Sequence, residues 1–395
     1  MSLGTSPLTV RGFYNFPATR TQFFEQTKRS PLLASLWANI DGSAINANST
    51  LPMTMKTKDQ IYADIKESNP QASLMSLKVK QAMGYGKILM SFYKSGIKNV
   101  WNNHKLVSKL SKHYKITNQI NNQGKDVDIR IPNFGKLTQE MALSLSMNTT
   151  EHKAVNNRNH GNVIKGEVVT VDRDLFSLTR AEFQLINRTN KDFYKLPLFV
   201  LVCLVFAETT PLLCYAVPEV TPSTCVLPSI VPRMWKSKTK QELAKLSQNL
   251  DEEGLENLAL KTSYNLPLHQ ARLLCQSLRL VSKYVPVQLY PESVLRSRLN
   301  HYYNYLKVDN YYLSGFTKGN VWNLTDEELV VASLERGIID DIKKEMEFES
   351  EEQKHEYMNQ LRLRLVKFIV DFDNYNIGYL AINHAKLDTA PVAWR

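Results

Sequence analysis

An apolar run at residues 196–217 most constrains what this 395-residue chain can fold into. As a helix rising 1.5 Å per residue it would be about 33 Å long, enough to cross a bilayer core. Only residues 196–207 are cleanly apolar, and that shorter stretch would equally suit a buried core helix. Glu208 costs about 3 kcal/mol at the bilayer centre, against about −0.3 to −0.6 kcal/mol for each Leu, Val or Phe. The run predicts one transmembrane helix over 196–217, with a core helix as the alternative.

The composition predicts a mainly globular chain with acidic partners. Hydrophobic residues make up 43%, and the net charge is +11. Such a charge favours RNA-containing particles or anionic lipid surfaces. The four cysteines show no CxxC spacing, so we expect reduced, packed thiols rather than a metal site or disulfides.

The first 35 residues have the composition of a mitochondrial presequence. They are rich in Ser and Thr, carry Arg11 and Arg20 before the first acid at Glu25, and lack the apolar core of a secretory signal. A basic tail without a targeting role is the alternative. We expect residues 36–73 to be a polar linker.

Residues 74–115 predict a basic amphipathic helix. Ten lysines and no acidic residue lie between Glu67 and Asp126, interleaved with aromatic residues. Such a surface can lie on anionic lipid or on RNA phosphates, and a solvated lysine face on a packed helix is the alternative. The candidate basic surface consists of Lys87, Lys94, Lys98 and Lys105.

The segments around the apolar run differ in character. Polar residues dominate 116–172, which predicts a mostly irregular insertion with short pieces suited to a hairpin. A pre-membrane helix follows at 173–195, opened by a capping box of Thr179 and Glu182. Four side chains on successive turns of that helix predict an ion-pair ladder: Arg180, Glu182, Arg188 and Asp192.

Residues 218–375 begin with a proline cluster (Pro218, Pro222, Pro228 and Pro232) and predict an all-helical domain, followed by a tail at 376–395. The candidate helices are 238–251, 252–262, 267–282, 291–306, 309–316, 325–337 and 340–370. Thr325 and Glu328 form a second capping box, and Arg336-Gly337 closes a helix. We expect Glu327, Glu328 and Glu335 to be surface charges of that helix.

Motifs for catalysis or metal binding are incomplete. His355-Glu356 lacks the second histidine of a zinc-protease helix, and Gly84-Tyr85-Gly86 lacks the third glycine of a nucleotide loop. DFDNYNIGY at 371–379 departs from a calcium loop at the glycine and glutamate positions. We therefore predict no catalytic residue, no metal site, no cofactor and no enzymatic activity.

Three blocks together resemble the LETM family, named for its leucine zipper, EF-hand and transmembrane segment. They are MGYGKILMSFYKSGIKNVW at 83–101, LTRAEFQLINRTNKDFYKLPLF with the following run to PEVTPST at 178–224, and LRSRLNHYYNYLKVDNYYL with LTDEELVVASLERGI at 295–338. The insertion at 116–172 and the missing calcium loop suggest a short, divergent, fungal branch.

The resemblance implies an all-α, single-pass protein of the mitochondrial inner membrane, with a 14-3-3-like ribosome-binding domain in the matrix. Its implied function is support of potassium/proton exchange, and hence of mitochondrial potassium and volume homeostasis. The alternative is a mitochondrial ribosome receptor that aids membrane insertion of mitochondrially encoded proteins, and a helical scaffold with neither role is a third hypothesis. The expected partners are the mitochondrial ribosome, inner-membrane lipids and further copies or a membrane complex, but not DNA.

Within that family pattern, the membrane-segment motif comprises Pro197, Pro211, Pro218 and Pro222. Glu208 is the candidate for coupling protons to cations, because an acid at bilayer depth faces a protein interior or wet cavity that raises its pKa. The alternative is a protonated Glu208 that donates a structural hydrogen bond to nearby hydroxyls or to backbone freed by Pro211.

Overall fold

The regular secondary structure in this computed structural model is helical throughout the described residues, as the sequence predicts. The structure describes residues 42–113, 133–158 and 176–383, apart from gaps at 54, 57, 69–72, 177, 207–208, 237–238, 249, 315–319, 340–341, 346–347, 349 and 374. The predicted presequence and the candidate β-branched pieces at 126–131 and 163–172 lie outside the described residues.

The α-helices in chain order are α1 (Lys58–Ser68), α2 (Leu74–His113), α3 (Phe134–Arg158), α4 (Arg180–Phe206), α5 (Thr210–Ala216), α6 (Val231–Trp235), α7 (Thr239–Gln248), α8 (Glu252–Leu260), α9 (Leu268–Ser277), α10 (Glu292–Leu313), α11 (Asp326–Glu335), α12 (Ile342–Glu345), α13 (Glu351–Asp373) and α14 (Tyr379–Asn383). The chain divides into two units. The smaller unit comprises Ala47–Lys112 and Phe183–Met234, and the larger unit contains the remaining described residues.

The core of the smaller unit joins α2 to α4, to α5 and to the segment that follows α5. Phe92 and Tyr93 of α2 pack with Phe199 of α4 and with Cys214 and Cys225. The Tyr93 and Phe199 rings meet edge to face with centroids 5.7 Å apart. Burial of these aromatic and aliphatic groups is the main force that holds the unit together.

The predicted transmembrane helix over 196–217 is wrong. None of the helices in the described residues is long and apolar enough to cross a membrane. The run divides instead into α4, which ends at Phe206, and α5, which starts at Thr210 with Pro211 in its first turn. Pro211 has no N–H to donate and its fixed φ suits the first turn of a helix, so it favours a helix start at this point.

The larger unit is organised around α10, against which α3, α9 and α13 pack. Leu295, Leu299, Leu306 and Leu313 of α10 are fully buried. Because their spacings of four and seven residues place them on one side of the helix, they form a continuous apolar face. The sequence predicted two helices here, at 291–306 and 309–316, but α10 is continuous.

The expectation of a mostly irregular segment at 116–172 is wrong over 134–158, which forms α3. Leu137, Met141 and Leu145 recur every four residues and are buried. The Lys307 ammonium on α10 donates to the Ser146 hydroxyl at 2.7 Å. The segment is polar overall, so its composition did not indicate this short apolar stripe. Packing of such a stripe against other helices is what stabilises most helices in proteins.

Two helix ends form as predicted. The Thr179 N–H donates to the Glu182 carboxylate at 2.9 Å, and the Glu182 N–H donates to the Thr179 hydroxyl at 3.3 Å, which completes the capping box. At the end of α11, Gly337 has φ of 68° and the Ile338 N–H donates to the Ser333 carbonyl at 2.9 Å. Glycine tolerates this left-handed conformation, so Arg336-Gly337 closes the helix.

Candidate functional site

A buried network of four charged side chains lies in the larger unit. The Arg180 guanidinium donates to the Asp309 carboxylate at 2.8 Å, and Arg336 donates to the other oxygen of the same carboxylate at 2.6 Å. Arg180 also lies 3.4 Å from the Glu328 carboxylate and donates to the Ile45 carbonyl at 2.8 Å. All four side chains are at most 1% exposed, so the network is a structural anchor rather than a ligand site.

The electrostatics of this network favour ionised Asp309. Burial by itself would raise the pKa of Asp309, but the guanidinium groups of Arg180 and Arg336 outweigh it and hold the pKa below its ordinary value. The resulting stabilisation is present above the ordinary aspartate pKa and is lost as pH falls through the lowered value. Glu328 and Arg336 were expected to be a surface charge and a helix end, and neither periodicity nor capping predicts their burial.

The four residues predicted as an ion-pair ladder take other partners. Arg180 contacts α10 and α11 as described, and Glu182 caps its own helix. Arg188 donates to the Thr50 hydroxyl at 3.1 Å, and Asp192 accepts from the Ser223 N–H at 2.9 Å. Desolvation raises the pKa of Asp192, although the hydrogen bonds from Ser223 oppose the shift. These contacts fix α4 to several segments, and the Arg188 guanidinium also opposes the rise in the pKa of Asp192, four residues further along the helix.

A row of lysines runs along the exposed side of α2. Lys87, Lys94, Lys98 and Lys105, the predicted basic surface, are all exposed, and Lys109 extends the row. Their spacings of seven and four residues place them on one face. The opposite face carries Phe92 and Val100 into the core. Among the described residues, no carboxylate lies within ion-pair distance of these five lysines.

An exposed apolar row adjoins the lysines on α2. Its members are Met75, Val79, Met83, Met90 and Trp101, which are 81, 53, 60, 57 and 48% exposed. Met83, Met90 and Trp101 each precede a lysine of the row by four residues, so the two rows lie side by side. The Lys105 ammonium sits 5.7 Å from the centre of the Trp101 ring. The sequence showed both residue types but not that the apolar ones remain outside the core.

A second exposed apolar row lies on α4 and α5 in the same unit. Tyr194, Leu198, Leu201 and Val205 recur at spacings of four, three and four residues, and all are exposed. Leu212 of α5 is also exposed. These positions fall within or beside the run that was predicted to cross a membrane. The opposite side of α4 buries Leu196 and Phe199.

The proline motif shapes this region without forming a site. Pro197 lies inside α4 and is exposed, Pro211 starts α5, Pro218 starts a short 3-10 helix, and Pro222 is buried before another. Glu208, the predicted coupling residue, lies outside the described residues. Within the part of the chain that the structure describes, no group of three or more His, Cys, Asp or Glu could hold a metal ion.

Two buried thiols lie in apolar surroundings rather than in a ligand set. Desolvation raises the pKa of Cys225, in the smaller unit, and of Cys275, in the larger unit, to about 12 in each case. All four cysteines are free. Cys214, Cys225 and Cys275 are buried and Cys203 is partly buried, so the thiols are packed, as the sequence predicted.

The residues that the structure describes form an all-helical fold with exposed basic and apolar rows. The chain belongs to the PNT1 family, the pentamidine resistance factor domain, whose family model matches residues 45–315. No curated protein and no solved structure matches the chain.

The family match overturns the LETM resemblance and what depended on it. The predicted potassium/proton exchange and the alternative of a mitochondrial ribosome receptor are wrong. The predicted single-pass position in the mitochondrial inner membrane is wrong as well, because no described helix can cross a membrane. The 14-3-3-like arrangement of residues 218–375 was implied only by the LETM resemblance, so it no longer has support. The expected partners, the presequence and the lack of enzymatic activity stay predictions.

Proposed function

We propose that this chain is a non-enzymatic, peripheral membrane-binding protein whose helix α2 attaches to an anionic bilayer surface. The observation that carries the proposal is the row of exposed lysines beside a row of exposed apolar side chains, on a helix without any acidic residue. Helices that lie in a membrane interface combine these two features.

The lysine row supplies long-range attraction. Each Lys or Arg near an anionic lipid surface contributes about 1 kcal/mol at physiological salt. The row from Lys87 to Lys109 is about 33 Å long at 1.5 Å per residue. It therefore presents its charges along a line to a flat surface, and not to a single compact ligand.

The apolar row favours lipid over nucleic acid. A phosphate backbone would attract the lysines equally well, but it gives no free energy for covering Met75, Met83 or Met90. A bilayer accepts such side chains at its headgroup–acyl boundary, where burial contributes about 25 cal/mol per Å² of apolar surface. Trp101 suits the same boundary because its ring is apolar and its N–H is polar.

The test is sedimentation of the full-length chain with phosphatidylcholine vesicles, with and without phosphatidylserine, at rising salt. We expect binding only with phosphatidylserine and a steep loss with salt. The variant Lys87→Glu/Lys94→Glu/Lys98→Glu removes at least about 3 kcal/mol of attraction, so its affinity should fall by about 100-fold or more.

The matched control is Lys136→Glu/Lys245→Glu/Lys283→Glu, which changes the net charge equally at exposed lysines of the larger unit. It should retain nearly all binding. Equal losses in the two variants would mean that net charge alone drives the interaction and would overturn the assignment to α2. Binding to RNA but not to vesicles would replace the lipid partner with a nucleic acid.

The family description supports a second proposal, a contribution to pentamidine resistance. Pentamidine is an aromatic dication, so it is drawn to the same anionic surfaces as the lysine row. Cells that lack the chain should become more sensitive to the drug, and the wild-type chain should restore resistance. If the Lys87→Glu/Lys94→Glu/Lys98→Glu variant restores resistance fully, resistance does not depend on this surface.

A further inference from the structure

We infer that the exposed apolar row of α4, together with Leu212 of α5, inserts into the acyl layer of a single bilayer leaflet. This inference rests on the proposed membrane binding and adds a second contact to it. Helix α2 would supply electrostatic attachment, whereas the row on α4 would hold the bound protein in place.

The row is exposed to an extent that soluble surfaces rarely show over consecutive turns. Tyr194, Leu198, Leu201 and Val205 are 86, 53, 56 and 63% exposed, and Leu204 is 77% exposed. Residues 196–206 contain no charged side chain. Contiguous apolar surface of this kind marks an interaction site.

Only one side of α4 is available to lipid. Leu196 and Phe199 on the other side are buried in the core of the smaller unit. From Tyr194 to Phe206 the helix is about 18 Å long, shorter than a bilayer core. A helix of this length, with its other face buried in the protein core, can lie in one leaflet.

Polar and basic groups border the row at both ends. Lys191 is exposed and lies about one helical turn before Tyr194, at the start of the row. Near the other end, the Arg233 guanidinium stacks on the exposed Tyr215 ring at 4.1 Å. Tyrosines and cations of this kind sit at headgroup level, where the ring is partly buried and the charge faces phosphate.

Charge favours a lipid over a second copy as the occupant. Two copies of a chain with net charge +11 repel each other, and the lysine row belongs to the same unit as the apolar row. An anionic leaflet instead attracts a chain of that charge, and its acyl layer can cover the apolar side chains.

The experiment binds the full-length chain to phosphatidylserine-containing vesicles at low salt and then washes them with high salt. High salt screens the lysines but strengthens apolar burial, so wild type should be largely retained. The variant Leu198→Ser/Leu201→Ser/Val205→Ser should bind at low salt and be released by the wash, with retention lower by about tenfold or more.

The matched control is Leu260→Ser/Leu289→Ser/Val285→Ser, which removes exposed side chains of the same types from the larger unit. It should behave like wild type. Circular dichroism and thermal unfolding check that both variants fold.

The outcomes separate the two proposals. Release of wild type by the high-salt wash, after normal binding at low salt, would overturn the insertion and leave the proposed function standing. Failure of wild type to bind at low salt would overturn both. A wild-type dimer in the absence of lipid, made monomeric by the α4 variant, would show that the row joins two copies and would also overturn the insertion.

Discussion

The Arg180 guanidinium and the Asp309 carboxylate lie 2.8 Å apart although 129 residues separate them in the sequence. Both side chains are buried, and Arg336 binds the second oxygen of the same carboxylate. The first residue of α4 is thereby fixed to α10 inside the larger unit. A buried ion pair of this kind contributes little net stability compared with apolar packing, yet losing one partner is costly.

Replacement of Arg180 with methionine should destabilise the larger unit. Asp309 would keep only Arg336, and Glu328 would lose a cationic neighbour, so we expect a loss of about 3–5 kcal/mol in the free energy of unfolding. Urea unfolding followed by circular dichroism measures it. Arg364→Met is the matched control, because Arg364 is 48% exposed in its ion pair and should cost less than about 1 kcal/mol. Similar losses at both sites would contradict the anchoring role of Arg180.

Two glycines of α2 should respond oppositely to alanine. A Cβ on Gly96 would lie 2.5 Å from the Cys225 sulfur and 2.9 Å from the Thr224 carbonyl oxygen, whereas a Cβ on Gly86 meets nothing within 4 Å. We expect Gly96→Ala to destabilise the smaller unit by about 1–3 kcal/mol through overpacking. Gly86→Ala should stabilise it by about 0.5–1 kcal/mol, because alanine loses less entropy in a helix. A shift of the same sign in both thermal unfolding curves would refute the close approach at Gly96.

The stability of the smaller unit should fall as pH rises above the ordinary aspartate pKa. The pKa of Asp192 is raised by burial, so the folded state holds its proton to a higher pH than the unfolded state does. The free energy of unfolding therefore decreases between about pH 4 and the raised pKa, and stays lower above it. In Asp192→Asn the amide oxygen can still accept a hydrogen bond from Ser223, but the side chain at position 192 no longer titrates. The variant should gain stability relative to wild type between about pH 4 and pH 7 in urea titrations. A constant difference across that range would rule out the shift.

The sequence was most informative where a local rule settles the structure. The capping box of Thr179 and Glu182 and the closure at Gly337 need only neighbouring residues, and both form as predicted. The long helix at 74–113 followed from the absence of proline and from its apolar spacing. The lysines of the candidate surface are exposed because the opposite face of α2 is the apolar one.

The sequence was misleading where burial depends on distant segments. The run at 196–217 has the composition of a membrane helix, but Phe199 packs on Tyr93 of α2, more than 100 residues earlier. Hydropathy alone cannot distinguish a side chain that faces lipid from one that faces a protein core. Glu328 lies in the acidic first turn of α11 and was therefore expected at the surface. It is buried instead, because Arg180, which is distant in the sequence, lies 3.4 Å from its carboxylate.

Truncation of Met141 tests whether α3 is a packed part of the larger unit. Met141 is 1% exposed, so Met141→Ala should cost about 2–5 kcal/mol through lost contacts and a cavity. The neighbouring Glu140 is exposed, and Glu140→Ala should change stability by less than about 0.5 kcal/mol. Amide hydrogen exchange over 134–146 should show protection in wild type and lose it in Met141→Ala. Rapid exchange of this segment in wild type would contradict the packing on α10.

The two buried thiols can report how often each unit of the chain opens. Cys225 belongs to the smaller unit and Cys275 to the larger, both are fully buried, and burial keeps both protonated at neutral pH. A thiol reagent can therefore reach either one only when its surroundings open, so each labelling rate counts the openings of one unit. Mass spectrometry of labelled peptides would measure the two rates in the same sample. Repeating the measurement with vesicles would show whether a bilayer slows the opening of one unit and leaves the opening rate of the other unchanged.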